Sequence, residues 1–474
     1  MSDNTNTIAE RLNVKKTVLI GFGFMATTIA WGIYDSYVPP LLNRLLEANE
    51  TVSGWSAGIA GNSNMQFLSN LIAEPGEGDA NAMGFTIIPL LIGIIMTFDN
   101  IFGVIFQPTF GKLSDRTRSK WGKRRPFIFF GAPISAILFA LIPWMNSIAS
   151  IMAVIIFFVF VMSLWRSPVV ALMPDLTPPK LRSEGNAIIN LCGGVGTLVP
   201  MVAAMGIVKL LSLDGEAIEE APYIFGLAAV VMIGATLVLR FFVKEDDSRL
   251  PANNEQGENK KVELNLKSLP KDARRSLIFM LIALFFLFSG TNAIQTFFTL
   301  FAKEILDKNP NEALMMMAVF GGCMMAAAIP AGKCGKKFGR KKTILGGMIA
   351  FMAIFVLYVI TKSDAVIWIA LVVGGAANMF ITVNTLPLVL EIGGLDKVGT
   401  FTGYYYTATF SAQIASPIIY GFVAMVTGTY MSLFWYCPIL FAVALLSILF
   451  VKHGEVDQEA LEEVAEQIEL ENAD

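Results

Sequence analysis

Three ionisable side chains stand inside otherwise apolar stretches: Asp35, Asp99 and Arg166. A charge in hydrocarbon is costly, so such groups pair, line a watery interior or carry an ion. Burial disfavours an ionised carboxyl and a neighbouring guanidinium favours it. A carboxyl that meets Arg166 in one conformation and apolar surroundings in another would load and unload a proton. Counting at about 1.5 Å per helical residue brings Asp99 and Arg166 within about 5 Å of one depth, with Asp35 higher. The rival readings are a static ion pair for Asp99 and Arg166 and a solvated rim position for Asp35.

A second set suits a polyol, which needs planar hydrogen-bond partners and an aromatic face. Trp31 and Asp35 fall on one helical face at i, i+4, and so do Asn186 and Asn190. Asn292 and Gln295 share another segment, Asn378 and Asn384 a third, and Tyr405 and Gln413 a fourth. Each alone is as readily helix–helix glue as ligand. Together they suit a sugar better than a lipophilic compound.

The elements that must position these groups are membrane helices. The chain has 474 residues, 55% of them hydrophobic and 15% charged, with mean hydropathy +0.61. Soluble proteins carry about 25% charged residues. Continuous apolar runs such as 151–165, 224–239 and 432–451 point to helices, since barrel strands alternate over about 10 residues. Spans are expected near 17–40, 85–110, 126–145, 150–173, 186–211, 222–243, 276–302, 312–333, 343–361, 365–389, 400–426 and 432–451, separated by breakers such as Pro39-Pro40 and Pro178-Pro179. The expected fold class is an all-α membrane protein with twelve spans in two six-helix bundles.

Residues 1–16 form a polar N-terminus with no cleavable leader, 17–243 a first bundle and 276–452 a second. The polar segment 244–275 reads as a linker, and 453–474 as an acidic tail. A surface helix is expected in the long loop 47–84, around Trp55 and 64–73. Basic residues crowd the loops after spans 2, 4 and 8, whereas those after spans 1 and 5 are acidic or mixed. That asymmetry predicts both termini in the cytoplasm of a multi-pass plasma membrane protein, in a bacterium the inner membrane. Cys192, Cys323, Cys334 and Cys437 lack ligand spacing, and His453 is the lone histidine. With no nucleotide loop, metal cluster or triad, the expectation is neither an enzyme nor a nucleic-acid binder. It is a monomer in the lipid bilayer without a metal or other cofactor.

A repeat organises the whole. GKLSDRTRSKWGKRR spans Gly111–Arg125 and GKCGKKFGRKK spans Gly332–Lys342, each after the second span of a half and about 220 residues apart. A second pair matches at Asp175, followed by Arg182, and at Glu391. Tandem halves of this kind place a substrate site between them near mid-membrane. Gly111, Gly122, Gly332 and Gly339 would let helices approach closely. Asp115, Arg116, Arg124, Arg125, Asp175, Arg182, Arg340 and Glu391 would bridge helix ends as a cytoplasmic gate. In the second copy Lys336 replaces the acid, so that half is expected to lack the loop charge pair.

The doubled loop with twelve spans resembles the major facilitator superfamily. The run FDNIFGVIFQPTFGKLSDRTRSKWGKRRPFI from Phe98 to Ile128 is similar to the sucrose and maltose:proton symporter branch, related to the glycoside–pentoside–hexuronide:cation symporters. RSPVVALMPDLTP from Arg166, LRSEGNAIIN from Leu181, NAIQTFF from Asn292 and GYYYTAT from Gly403 fit the same branch. The resemblance implies proton-coupled uptake of a disaccharide or other α-glucoside by alternating access. Where sodium-using members carry paired aspartates, this chain has Gly103 and Gln107, which favours a proton over sodium as coupling ion. Arg166 replaces their galactoside-binding aspartate. The alternatives are a proton-coupled exporter of a drug or metabolite and a non-transporting sugar receptor or sensor. For the latter, the linker and tail are too short to be a signalling domain.

Overall fold

A computed structural model of the chain describes residues 12–64, 86–177, 185, 188, 189, 191–198, 206, 217–243, 270–393 and 398–452. The described elements are helical: α1 (Val14–Glu47), α2 (Glu50–Ala60), α3 (Ile88–Met96), α4 (Phe98–Arg116), α5 (Arg125–Leu141), α6 (Ile148–Leu176), α7 (Ala217–Phe242), α8 (Lys271–Leu306), α9 (Pro310–Phe338), α10 (Arg340–Thr361), α11 (Asp364–Gly393), α12 (Val398–Thr427) and α13 (Leu433–Leu449). Two 3-10 turns, Ile142–Trp144 and Tyr430–Ser432, join them. Eleven described helices are long and apolar enough to cross a membrane, with α3 and α4 counted as one. This is an all-α, multi-pass membrane protein. The span expected at 186–211 falls mostly outside the described residues, as do most of the linker, the acidic tail and residues 65–73 of the outer loop.

Local chemistry sets the helix ends. Asn13 caps α1, its Oδ1 accepting from the Lys16 amide at 3.0 Å. Ser147 caps α6 in the same way, accepting from the Ser150 amide at 3.2 Å. Two of the boundaries that differ from expectation have a local cause. Helix α1 runs through Pro39 and Pro40 to Glu47 instead of stopping at them. Each proline deprives the carbonyl four residues back, here Asp35 and Ser36, of its helical donor. Flanking residues Val38, Leu41 and Leu42 are buried, and their packing carries the helix across that loss. Helix α8 begins at Lys271, ahead of the boundary expected at 276, because Pro270 supplies an extended N-cap and Asp272 an acid in the first turn. Trp55 does sit on a surface helix, α2, and is 53% exposed.

Packing divides the chain into two compact units: Met1–Val52, Phe98–Gln256 and Lys308–Ala318 in one, and Ser53–Thr97, Gly257–Asp307 and Val319–Asp474 in the other. Neither unit is contiguous in the chain: Ser53–Thr97 belongs to the second and Lys308–Ala318 to the first. In the first unit α1 packs on α6 and α7, α5 on α6 and α7, and α4 on α6. Its core is aromatic, with Phe139 stacked on Phe225 at 4.5 Å and the Trp165 indole donating to Ser135 Oγ at 2.9 Å. In the second unit α8 packs on α12 and α13, and α10 on α11 and α13. Phe434 meets Phe301 at 4.6 Å and Phe355 at 4.8 Å. Such ring pairs add about 0.5–1.5 kcal/mol beyond their buried area.

Helix α3 is held in the second unit by backbone contact. Helix α3 lies on α12 so closely that a Cβ at Gly93 would stand 2.0 Å from the Pro417 carbonyl oxygen, and one at Gly421 2.5 Å from that of Pro89. Thr97 ends α3, and its hydroxyl reaches the Ile414 carbonyl at 3.1 Å. The second span is thus broken at Thr97, with α4 starting at Phe98.

Candidate functional site

In the first unit α1, α4 and α6 bring the three ionisable groups into one neighbourhood. Asp99 occupies the first turn of α4, just past the break at Thr97, where the helix dipole favours a carboxylate. Its Oδ1 accepts from the Asn100 amide at 2.6 Å and from Asn100 Nδ2 at 2.8 Å. Arg166 on α6 lies within electrostatic range of Asp99, and Asp99 within range of Asp35. Among the described ion pairs, none joins Arg166 to either aspartate. The guanidinium carbon instead stands 5.6 Å from the centroid of the Trp31 ring, a cation–π separation.

Trp31 is half-buried and meets Tyr34 edge-on at 5.6 Å and Phe158 at 6.1 Å. The Trp31 indole nitrogen and the Tyr34 hydroxyl are buried with no hydrogen-bond partner among the described residues. Orphaned buried polar atoms are uncommon and each needs a reason. Here they flank two carboxyls and a guanidinium. Sequence reasoning passed over Tyr34, Asn100 and Phe158. The signal for Tyr34 was its i+3 spacing from Trp31.

The predicted polar residues of the second unit divide into two kinds. On α8, Asn292 keeps an unpartnered buried Oδ1 and Gln295 is exposed. One turn back, Ser289 Oγ is also unpartnered, a neighbour that sequence reasoning did not single out. On α11, Asn378 is 3% exposed, donates to Met324 Sδ at 3.4 Å and keeps an unpartnered Oδ1. Tyr405 on α12 is buried, with its hydroxyl 3.4 Å from Thr385 Oγ1 and its ring edge-on to Phe288. Gln413 is half-buried farther along α12. Asn384 is of the other kind: its amide donates to the Phe380 carbonyl at 2.9 Å and the Ala331 carbonyl at 3.2 Å, tying α11 to α9. Asn186 and Asn190 lie outside the described residues.

The repeated loops form two charge clusters. Arg124, 4% exposed, pairs with Asp115, donates from Nε to Asp175 Oδ2 at 3.0 Å, and donates to Ser114 Oγ and the Gly111 carbonyl. Lys123 adds a second pair to Asp175 at 3.1 Å. Gly122 sits at φ 100° and its counterpart Gly339 at φ 88°, where a side chain would be strained. In the second copy Lys336 leaves the loop without its acid, as expected, yet Arg340 still pairs with Glu391 at 2.6 Å. The bases that follow also correspond. Arg125 donates to the Arg240 carbonyl near the end of α7, and Lys341 to the Leu449 carbonyl at the end of α13, at 3.4 Å, and to the Val451 carbonyl just past it. Arg116 is exposed and Arg182 lies outside the described residues.

Close approach at Gly111 is real, since a Cβ there would meet Ser167 Oγ at 2.8 Å. The expectation fails at Gly332, where the nearest atom would be an ordinary 3.9 Å away. The tight glycine of that copy is Gly335, whose Cβ would stand 1.8 Å from Asn384 Oδ1. The reason is that Asn384, bonded to the Ala331 carbonyl, lies across the Gly335 face of α9. Among the described residues, no group of three or more His, Cys, Asp or Glu side chains is placed to hold a metal.

Residues 83–436 match the family model described as MFS/sugar transport protein. Among curated relatives, the tetracycline resistance protein, class H, of Pasteurella multocida is 28% identical over 54% of this chain and 60% of its own length. The isoprimeverose transporter of Lactiplantibacillus pentosus is 20% identical over 70% of this chain and 64% of its own length. The sucrose transport protein SUC3 of Arabidopsis thaliana is 26% identical over 31% of this chain and 29% of its own length. The chain thus spans less than two thirds of each of these relatives. Among solved structures, the nucleoside transporter NupG matches at TM-score 0.64 with 13% identity, covering 93% of this chain and 100% of its own. The D-xylose-proton symporter matches at TM-score 0.62 with 14% identity, covering 92% and 96%. At these identities the structural likeness concerns the fold.

Proposed function

The chain belongs to the MFS/sugar transport protein family, and from that premise we propose that it is a secondary active transporter importing a disaccharide or other α-glucoside together with a proton. The observation that carries this reading is the cluster of Asp35, Asp99 and Arg166 around Trp31. Two carboxyls near a guanidinium, with no closed pair among them, can exchange a proton when their surroundings change. The Trp31 ring offers a face for a sugar, and the unpartnered Asn292 and Asn378 oxygens offer acceptors for hydroxyl groups. Relatives named for isoprimeverose and sucrose support a glycoside substrate. In this reading the protein is a monomer in the plasma membrane, the inner membrane in a bacterium, with both termini cytoplasmic and the basic loops facing the cytoplasm.

The test is uptake into proteoliposomes under an imposed pH gradient, with a panel of mono- and disaccharides. A responsive sugar should accumulate when the exterior is acidic. A protonophore should collapse that accumulation, and sodium should not replace the proton. Asp35→Asn and Asp99→Asn separate the two carboxyls. Proton-driven uptake unchanged in both variants refutes coupling through this cluster, and sodium-dependent uptake refutes the proton.

The second reading is a proton-coupled exporter, favoured by the 28% identity to the tetracycline resistance protein. It predicts extrusion of a lipophilic cargo from inverted vesicles and no response to any sugar of the panel.

A further inference from the structure

A groove of about 550 Å³ runs along the second unit, walled by α9, α10 and α11. Among its lining residues are Phe338, Lys342, Gly346, Ala350, Val372 and Ala376. Phe338 is 56% and Val372 45% exposed, so the groove is open at the surface. Small side chains on α10 and α11 make its floor, and a Cβ at Gly346 would meet nothing within 4 Å. The single charged lining residue is Lys342, exposed in the first turn of α10. No hydrogen bond or ion pair engages it among the described residues.

We propose that this groove holds an anionic phospholipid, with one acyl chain along the α10–α11 floor and its phosphate on the Lys342 ammonium. Lengths agree. From Lys342 to Ala350 the groove follows α10 for about 12 Å, close to the roughly 15 Å of one leaflet's hydrocarbon. Charge agrees as well. Lys342 lies at the basic end of its span, beside Arg340 and Lys341, where lipid phosphates sit and where basic pockets between membrane helices collect anionic headgroups. An apolar floor with a cation at one end matches an amphiphile. A partner helix from a second copy would leave the Lys342 charge without a counterpart.

The experiment is native mass spectrometry of the full chain, delipidated in mild detergent and titrated with palmitoyl-oleoyl phosphatidylglycerol or with phosphatidylcholine of the same chains. Phosphatidylglycerol should bind about fivefold more tightly, the preference one lysine near a membrane surface provides. Lys342→Gln should reduce phosphatidylglycerol to the level of phosphatidylcholine. Gly346→Leu, at a position where a Cβ meets nothing within 4 Å, projects its side chain into the groove and should weaken both lipids. Lys333→Gln, outside the lining, should change neither, and thermal melts confirm that each variant is folded. Equal binding of the two lipids by the native chain overturns the headgroup assignment. Lipid binding unchanged in Gly346→Leu overturns the groove, as does a dimer that Gly346→Leu converts to monomer. None of these readouts depends on transport, so failure here and failure of the sugar symport reading remain distinguishable.

Discussion

Replacing Gly93 by alanine should push α3 off α12. The added Cβ would stand 2.0 Å from the Pro417 carbonyl oxygen, where ordinary contact begins near 3.4 Å. Both partners are helix backbone, so no rotamer change relieves the clash, and the helices must separate by about 1.4 Å. Overpacking of this kind costs about 1–3 kcal/mol, while alanine in a helix regains about 0.5–1 kcal/mol over glycine. The net penalty, about 1–2 kcal/mol, weakens the α3–α12 contact about 5- to 30-fold relative to any conformation that lacks it. Any conformation in which α3 stands off α12 should therefore gain population in the variant. The assay labels a single cysteine at Thr97, a position 1% exposed here, with the four native cysteines replaced. Because Thr97→Cys is common to both proteins compared, its lost hydrogen bond cancels. Aqueous maleimide should label the Gly93→Ala protein about 5- to 30-fold faster, and the transport rate should fall. Gly226→Ala, where a Cβ meets nothing within 4 Å, serves as the neutral control. Labelling and transport equal to those of the Gly93 protein would refute the reasoning.

Further consequences follow for the rest of the molecule. Arg124→Gln removes the hub of two carboxylates and should cost about 3 kcal/mol, whereas Lys123→Gln, whose ion pair with Asp175 is part-buried, should cost about 1 kcal/mol or less; melting curves in detergent rank the two. Gly335→Ala forces the Asn384 amide off the Ala331 and Phe380 carbonyls and should destabilise by about 1–3 kcal/mol, while Gly332→Ala should melt like the parent. Asn292→Ala and Asn378→Ala remove acceptor oxygens that take no hydrogen bond among the described residues, so they should weaken sugar binding, read by calorimetry, with little change in melting temperature. A loss of stability without a loss of affinity would assign both to packing.

The spans and the doubled basic loop were legible in the sequence, because apolar run length and charge placement are local properties that the bilayer reads directly. Depth counting along the helices puts Asp99 and Arg166 near one depth. Tertiary structure decided what those residues touch. Arg166 faces the Trp31 ring without pairing to an aspartate, and Asp99 sits in the first turn after a break that no proline or glycine marks. Asn378 and Asn384 look alike along the chain, yet one keeps a free oxygen and the other is spent on two carbonyls. The place of α3 in the second unit likewise follows from backbone contact at Gly93 and Gly421. Sequence determines which groups are costly to bury. Only packing decides which neighbour meets each cost, because that neighbour comes from a helix distant in the chain.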